Sequence, residues 1–150
     1  MPSIQLSINI NAPIQQVFDA ARSIDLHQES MEHTDERAIA GKTIGLIELG
    51  ETVTWEAFHF GVKQQLKVRI TQMDAPNSFI DEMVSGAFKR FKHVHTFSEQ
   101  GGFTRMTDSF NYTSPLGPLG KLADFLFLKK YMTHLLMSRN LRLKEHLESR

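Results

Sequence analysis

The 150-residue chain contains no cysteine, which excludes disulfides, thiolate nucleophiles and cysteine-ligated zinc together. It has no excess charge of either sign, with 17 Lys plus Arg against 17 Asp plus Glu. Net charge therefore gives no pull toward nucleic acid or an anionic surface. Long apolar runs are missing as well. The longest, Phe125-Leu126-Phe127-Leu128, is one helical turn followed by two lysines, whereas a membrane span needs about 20 residues. The start, Met-Pro-Ser-Ile-Gln-Leu, has neither the basic nor the apolar region of a secretion signal, so the expected location is the cytoplasm. No GxGxxG or GxxxxGK[ST] pattern occurs, which removes the usual phosphate loops. No cofactor is implied.

The residues present are those of an ordinary globular chain, 41% apolar and 23% charged. At this length one domain over residues 1–150 is expected, burying roughly 68–70% of its unfolded surface. Seven histidines are the one unusual charge reserve, able to make the chain cationic near pH 6. The most informative segment is the end. Ser114-Pro115-Leu116-Gly117-Pro118-Leu119-Gly120 reads as a breaker, and no Gly or Pro follows it. Beyond it Leu122, Phe125, Leu128, Met132, Leu136, Leu143 and Leu147 recur at helical spacing. A helix from about Leu119 to Glu148 would be on the order of 45 Å long. That is too long for a simple cap, and one long helix laid across a curved antiparallel sheet is the simplest architecture that accommodates it.

The rest of the chain supplies that sheet. Ser3–Ile10 alternates with Ile4, Leu6, Ile8 and Ile10 on one face. Asn11-Ala12-Pro13 predicts a helix start carrying Ile14, Val17, Phe18 and Ala21, and Ser23 or Asp25 can cap a second short helix. Further strands are predicted at Glu36–Ala40, Ile44–Leu49, Thr52–Phe60, Lys63–Met73, Ser78–Val84, Phe88–Ser98 and Phe103–Tyr112, separated by Gly- and Pro-containing turns.

This order, and certain stretches within it, carry a resemblance. Ile8-Asn9-Ile10-Asn11-Ala12-Pro13-Ile14-Gln15-Gln16-Val17-Phe18 is similar to the usual opening of the SRPBCC superfamily, which includes START domains, polyketide cyclases and birch-pollen-allergen-like proteins. Thr54–Gly61, Phe79–Glu82, Gly86–Phe97 and Pro115–Gly120 resemble a bacterial subgroup known only as ligand-binding or cyclase/dehydrase-like. The resemblance implies an α+β helix-grip fold: a curved antiparallel sheet of about seven strands on a long C-terminal helix, with two short helices after the first strand. It implies no shared catalytic motif, because members of this fold bind sterols, lipids, polyketides and hormones.

Strand alternation predicts which side chains face the helix. Phe91, His93, His95 and Phe97 share one face of their strand, opposite Arg90, Lys92, Thr96 and Ser98. Val53, Trp55, Ala57 and His59 lie together. Met106, Asp108, Phe110 and Tyr112 put a carboxylate on an apolar face, and Glu82 between Ile80 and Val84 reads the same way. Arg139 falls in the middle of the apolar helical stripe that includes Phe125 and Met132. A buried charge must be paired, so Arg139 is expected to meet Asp108 or Glu82, unless it snorkels from the helix edge.

His59, His93 and His95 with Asp108 and Glu82 could move a proton in a dry pocket. His-x-His on one strand face, about 7 Å apart at Cα, is also a spacing some metal sites use, but no third ligand is given and no metal is assigned. The favoured reading is a satisfied polar network that shapes a pocket. The expected function is binding of a small apolar or aromatic molecule, lipid-like or polyketide-like, by Trp55, His59, Phe91, His93, His95, Phe97, Asp108, Phe110, Tyr112, Phe125, Met132 and Arg139. The alternatives are a cyclase- or dehydratase-type enzyme using a His/carboxylate pair, and a partner-binding module with a filled core.

Overall fold

The computed structural model describes residues 2–149. The alternating apolar residues of β1 (Ser3–Ile10) bury Ile4 and Ile10 most deeply. Pro13 directly precedes α1 (Ile14–Ala21) as its N-cap residue, at the helix start expected from the sequence. Ser23 caps α2 (Ile24–Ser30), its Oγ accepting from the Leu26 N–H at 3.2 Å. Asp25 instead accepts from the Gly45 N–H at 2.9 Å.

Six strands follow: β2 (Arg37–Gly41), β3 (Thr52–His59), β4 (Val62–Asp74), β5 (Ser78–Gly86), β6 (Arg90–Gln100) and β7 (Phe103–Thr113). With β1 they form one antiparallel sheet in the order β1-β7-β6-β5-β4-β3-β2. It is curved and unclosed, with β1 and β2 at its edges. Register shifts at Ala38/Ala40, Lys67/Val68 and Ile70/Gln72 lie in the β2–β5 half, and such bulges bend and twist a sheet.

The predicted strand at Ile44–Leu49 is absent. That segment makes one isolated bridge, Ser23 to Leu46. Its backbone is spent on the helical corner instead, with Ile24 N–H donating to Gly45 O and Ile47 N–H to Arg22 O. A short apolar run bounded by glycines could be read as a strand, but here it covers the α1–α2 junction.

The C-terminal helix runs unbroken over 31 residues, as α3 (Pro118–Ala123), a π-helical segment (Asp124–Leu128) and α4 (Lys129–Glu148). The deepest core lies between α4, α1 and the concave sheet face: Leu136, Leu143 and Leu147 meet Val17, Phe18, Met106 and Phe110 there. No helix among the described residues is long and apolar enough to cross a membrane.

The breaker packs tightly on the helix it starts. A Cβ at Gly120 would press against the Pro115 carbonyl oxygen and come within 2.9 Å of the Ser114 Cβ. Helix propensity favours alanine over glycine by about 1 kcal/mol, yet this overlap reverses the sign. Gly120→Ala is expected to lose about 1–3 kcal/mol in urea unfolding; an unchanged or raised midpoint would contradict that packing.

Candidate functional site

Between the concave face and the C-terminal helix lies a cavity of about 340 Å³. Val53, Trp55 and Val68 wall one side, Phe79, Phe91 and Phe110 the floor, and Leu128, Met132 and Leu136 the helical roof. Two lining residues, Phe60 in the β3–β4 turn and Pro115 before α3, are themselves exposed and mark where the cavity meets solvent. Trp55 is the only tryptophan, and its ring lies 4.3 Å from that of His27.

Polar groups converge at one end because of strand register. His93 stands opposite Asp81 on β5 and Phe110 on β7; His95 stands opposite Phe79 and Asp108. Each histidine bonds the carboxylate diagonal to it. His93 Nε2 is 2.7 Å from Asp108 Oδ1, and His95 Nε2 is 2.7 Å from Asp81 Oδ1. The directly opposed aromatics pack on the rings: Phe79 stacks on His95 at 4.1 Å, His95 on His93 at 3.8 Å, and Phe110 meets His93 edge-on at 5.2 Å. From α4, Arg139 Nη2 donates to Asp108 Oδ1 at 2.6 Å and Asn140 Nδ2 to Asp108 Oδ2 at 2.8 Å. Arg139 also donates from Nε and Nη2 to Asn140 Oδ1. Asp108 is 0% exposed and Arg139 4%.

These contacts fix the protonation states. An ionised carboxylate only accepts, so an imidazole nitrogen hydrogen-bonded to one carries a proton. His95 faces Asp81 through Nε2 and Asp108 through Nδ1, the latter at 3.4 Å without a formed hydrogen bond. Burial is the largest influence on His95 and opposes its charge, but the two carboxylates it faces, Asp108 and Asp81, outweigh it and raise the pKa. His93 faces a carboxylate only through Nε2. Burial, then the neighbouring His95, lower it to about 4, so it is neutral with a lone pair on Nδ1. Burial works against ionisation of Asp108 too, and Arg139 with both histidines overcomes it, holding that carboxyl well below its usual range. Asp81 is likewise lowered against burial, chiefly by His95.

The structure brings Trp55, His59, Phe91, His93, His95, Phe110, Met132 and Arg139 to the cavity. Of the two partners expected for Arg139, it selects Asp108. Asp108 itself lies behind the cavity wall, screened by His93, His95 and Arg139. Phe97 packs under α1 against Phe18, and Tyr112 is fully buried away from the cavity. Two placements need correction. Glu82 faces outward beside Lys92, because the inner face of β5 is Phe79, Asp81 and Met83; Ile80 and Val84 suggested the wrong face. Phe125 is 86% exposed. The π segment inserts a residue into the helical repeat, so upstream of Leu128 the inward stripe continues through Asp124 and Gly120 instead.

His59 lines the cavity but stays out of the ionic cluster, its Nδ1 lying 2.7 Å from the Tyr131 hydroxyl. Burial lowers its pKa. Sequence reading missed Asp81, Asn140 and Tyr131. Asp81 was detectable from Phe79 two residues earlier, and Asn140 from its i+4 spacing to Leu136. Asp81, His93 and His95 hold donor atoms within 4.8 Å of one another, a spacing that could hold a metal ion. The Arg139 cation on Asp108 and the carboxylate bonds already made by both imidazoles oppose one.

Residues 1–148 match the family described as polyketide cyclase / dehydrase and lipid transport. The chain belongs to that family. It is therefore a member of the SRPBCC superfamily, whose START-like and birch-pollen-allergen-like fold binds hydrophobic ligands. The solved structures agree on the fold. TTHA0849 from Thermus thermophilus is 20% identical with a TM-score of 0.81, over 99% of this chain and 98% of that one. A START superfamily protein from Mycobacterium smegmatis is 10% identical with a TM-score of 0.75, over 98% and 97%. Ginseng major latex-like protein 151 from Panax ginseng is 15% identical with a TM-score of 0.71, over 97% of each chain. No curated protein matches the chain.

In this chain the ionic cluster is a stability element with a pH signature. Arg139→Met leaves Asp108 a buried charge without its cation and is expected to cost about 3–5 kcal/mol in urea unfolding. Adding Asp108→Leu to that variant should restore most of the loss; a double variant no better than the single would contradict the pairing. For His93, the folded pKa of about 4 lies below the ordinary imidazole value of 6.5, so acidification between these values protonates the unfolded chain preferentially and stability falls. For His95, raised in the fold, stabilisation is complete below about pH 6.5 and is lost as pH rises through its folded pKa. Unfolding midpoints measured from pH 4 to 9 should therefore fall on both sides, and His93→Gln should flatten the acid limb between about 6.5 and 4. An unaltered acid limb would count against a neutral His93.

Proposed function

We propose that the protein binds a small, mainly apolar molecule, aromatic or lipid-like, in the cavity between sheet and helix. The observation that carries this is a cavity of about 340 Å³ with an aliphatic and aromatic wall and polar groups only at defined points, the usual composition of a small-molecule site. One end supplies orientation. Arg139 spends Nε and Nη2 on Asn140 and Asp108, which leaves Nη1 as a donor. His93 Nδ1 and Asp81 Oδ2 are the matching acceptors. A ligand with a hydroxyl or carbonyl at one end satisfies these atoms without bringing a net charge into the cluster.

The same atoms limit acid–base chemistry. His93 Nδ1 is the free base nearest the cavity, and a pKa of about 4 makes it a weak one at neutral pH. His95 is a proton donor held between two carboxylates. The cluster orients a ligand more readily than it transforms one. Support for a hydrophobic ligand comes also from the family, whose description includes lipid transport.

Trp55 in the cavity wall is a built-in reporter. Titration with N-phenyl-1-naphthylamine should change its emission saturably at micromolar concentration. Ala57→Phe, which fills cavity volume, should weaken that binding about tenfold or more while circular dichroism stays unchanged. No saturable change, or a response indifferent to Ala57→Phe, would sink the proposal.

A further inference from the structure

We infer that the first turns of the C-terminal helix, together with the β3–β4 turn, form a docking surface for an anionic lipid bilayer. Leu119 is 68% and Phe125 86% exposed, and Leu122, Leu126 and Phe127 are exposed as well. Single exposed apolar residues are ordinary; five within nine positions make a patch. The β3–β4 turn extends it. Phe60 is 59% exposed and its ring lies 5.5 Å from that of Phe127.

Charge selects the partner. Lys121, Lys129 and Lys130 are exposed around the strip. The one acid between 116 and 130, Asp124, is half-buried, with Ser114 Oγ donating to its carboxylate at 2.7 Å. In a chain with no net charge, the exposed charges of this most apolar exposed segment are thus all cationic. Aromatic and aliphatic side chains flanked by lysine are the composition of segments that lie in a membrane interface, with each lysine attracted by anionic headgroups. A second copy fits less well, because a twofold interface would bring these lysines against one another. The surface also borders the cavity mouth: Phe60, Pro115, Leu128 and Tyr131 line the cavity at the same end. Docking would set that mouth on the lipid. The inference rests on the surface alone and stands whether or not the cavity binds anything.

Flotation with vesicles of phosphatidylcholine alone, and of phosphatidylcholine with phosphatidylserine, tests it directly. The protein should float with the phosphatidylserine vesicles at low salt and much less at about 0.5 M salt, where exposed charges are screened. Phe125→Glu should weaken that binding about tenfold or more, and Lys129→Gln and Lys130→Gln about fivefold each. None of the three side chains lines the cavity, so affinity for N-phenyl-1-naphthylamine and the circular dichroism spectrum should not change, which certifies the fold of the variants. Wild-type protein that stays unbound at low salt would overturn the inference. So would binding that Phe125→Glu leaves intact, or an oligomer that Phe125→Glu dissolves, which would give the surface to a second copy.

Discussion

Asp108 carries a carboxylate in the middle of β7 with no exposure to water, and an uncompensated charge there would cost several kcal/mol. Everything around it answers that cost. Arg139 and Asn140 reach down from α4, and His93 reaches across from β6. His95 adds a further bond, to Asp81 on β5. Three strands and the helix each supply part of the cluster. The helix is therefore fastened to the sheet by bonds whose lengths are fixed. Apolar packing alone could let it slide or settle deeper.

That fastening bears on the cavity. With α4 held at the level of Arg139, the roof residues one and two turns earlier, Leu136 and Met132, cannot drop onto the floor without breaking bonds to Asp108. The floor is stiff for a related reason. Phe79, His95 and His93 form a continuous stack, with Phe110 against its far side. The histidines in it are hydrogen-bonded and cannot turn freely. On the other wall, strands β3 and β4 lie in the half of the sheet that carries the register shifts. A cavity of this size persists because both faces are rigid and the sheet curves away where the bulges occur.

Much of this was legible in the residues. Period-2 alternation in β6 and β7 put His93, His95 and Asp108 on the inner face, and a cation in the middle of a helical apolar stripe predicted the Arg139 contact. What alternation could not decide was a strand with apolar residues on both faces. In β5, Ile80 and Val84 compete with Phe79 and Met83, so the choice between Glu82 and Asp81 depended on pairing with β6, a nonlocal fact. The apolar run at Ile44–Leu49 failed for the same reason: its partners are a helix corner, not a strand. Phe125 failed through helix geometry. A strict 3.6-residue repeat places it inward, and one π turn rotates it out.

That π turn divides the C-terminal helix into two unequal halves. The α4 half buries Leu135, Leu136, Arg139, Asn140, Leu143 and Leu147, and opening it would break the ionic cluster. The π segment buries no residue at all, and before it only Gly120 of α3 is buried. Regions with few buried contacts open at lower free energy than the core, so the helix is firm at one end and lightly held at the other. The lightly held end is restrained by Asp124 on Ser114 and by the Phe60–Tyr131–Phe127 cluster. Phe60 makes those contacts from a positive φ of 54°, a conformation unfavourable for a bulky side chain. In a two-residue hairpin turn Asn or Gly would serve better there. An aromatic ring held at a local conformational cost thus stands at the mouth of the cavity, against the part of the helix that buries the fewest side chains.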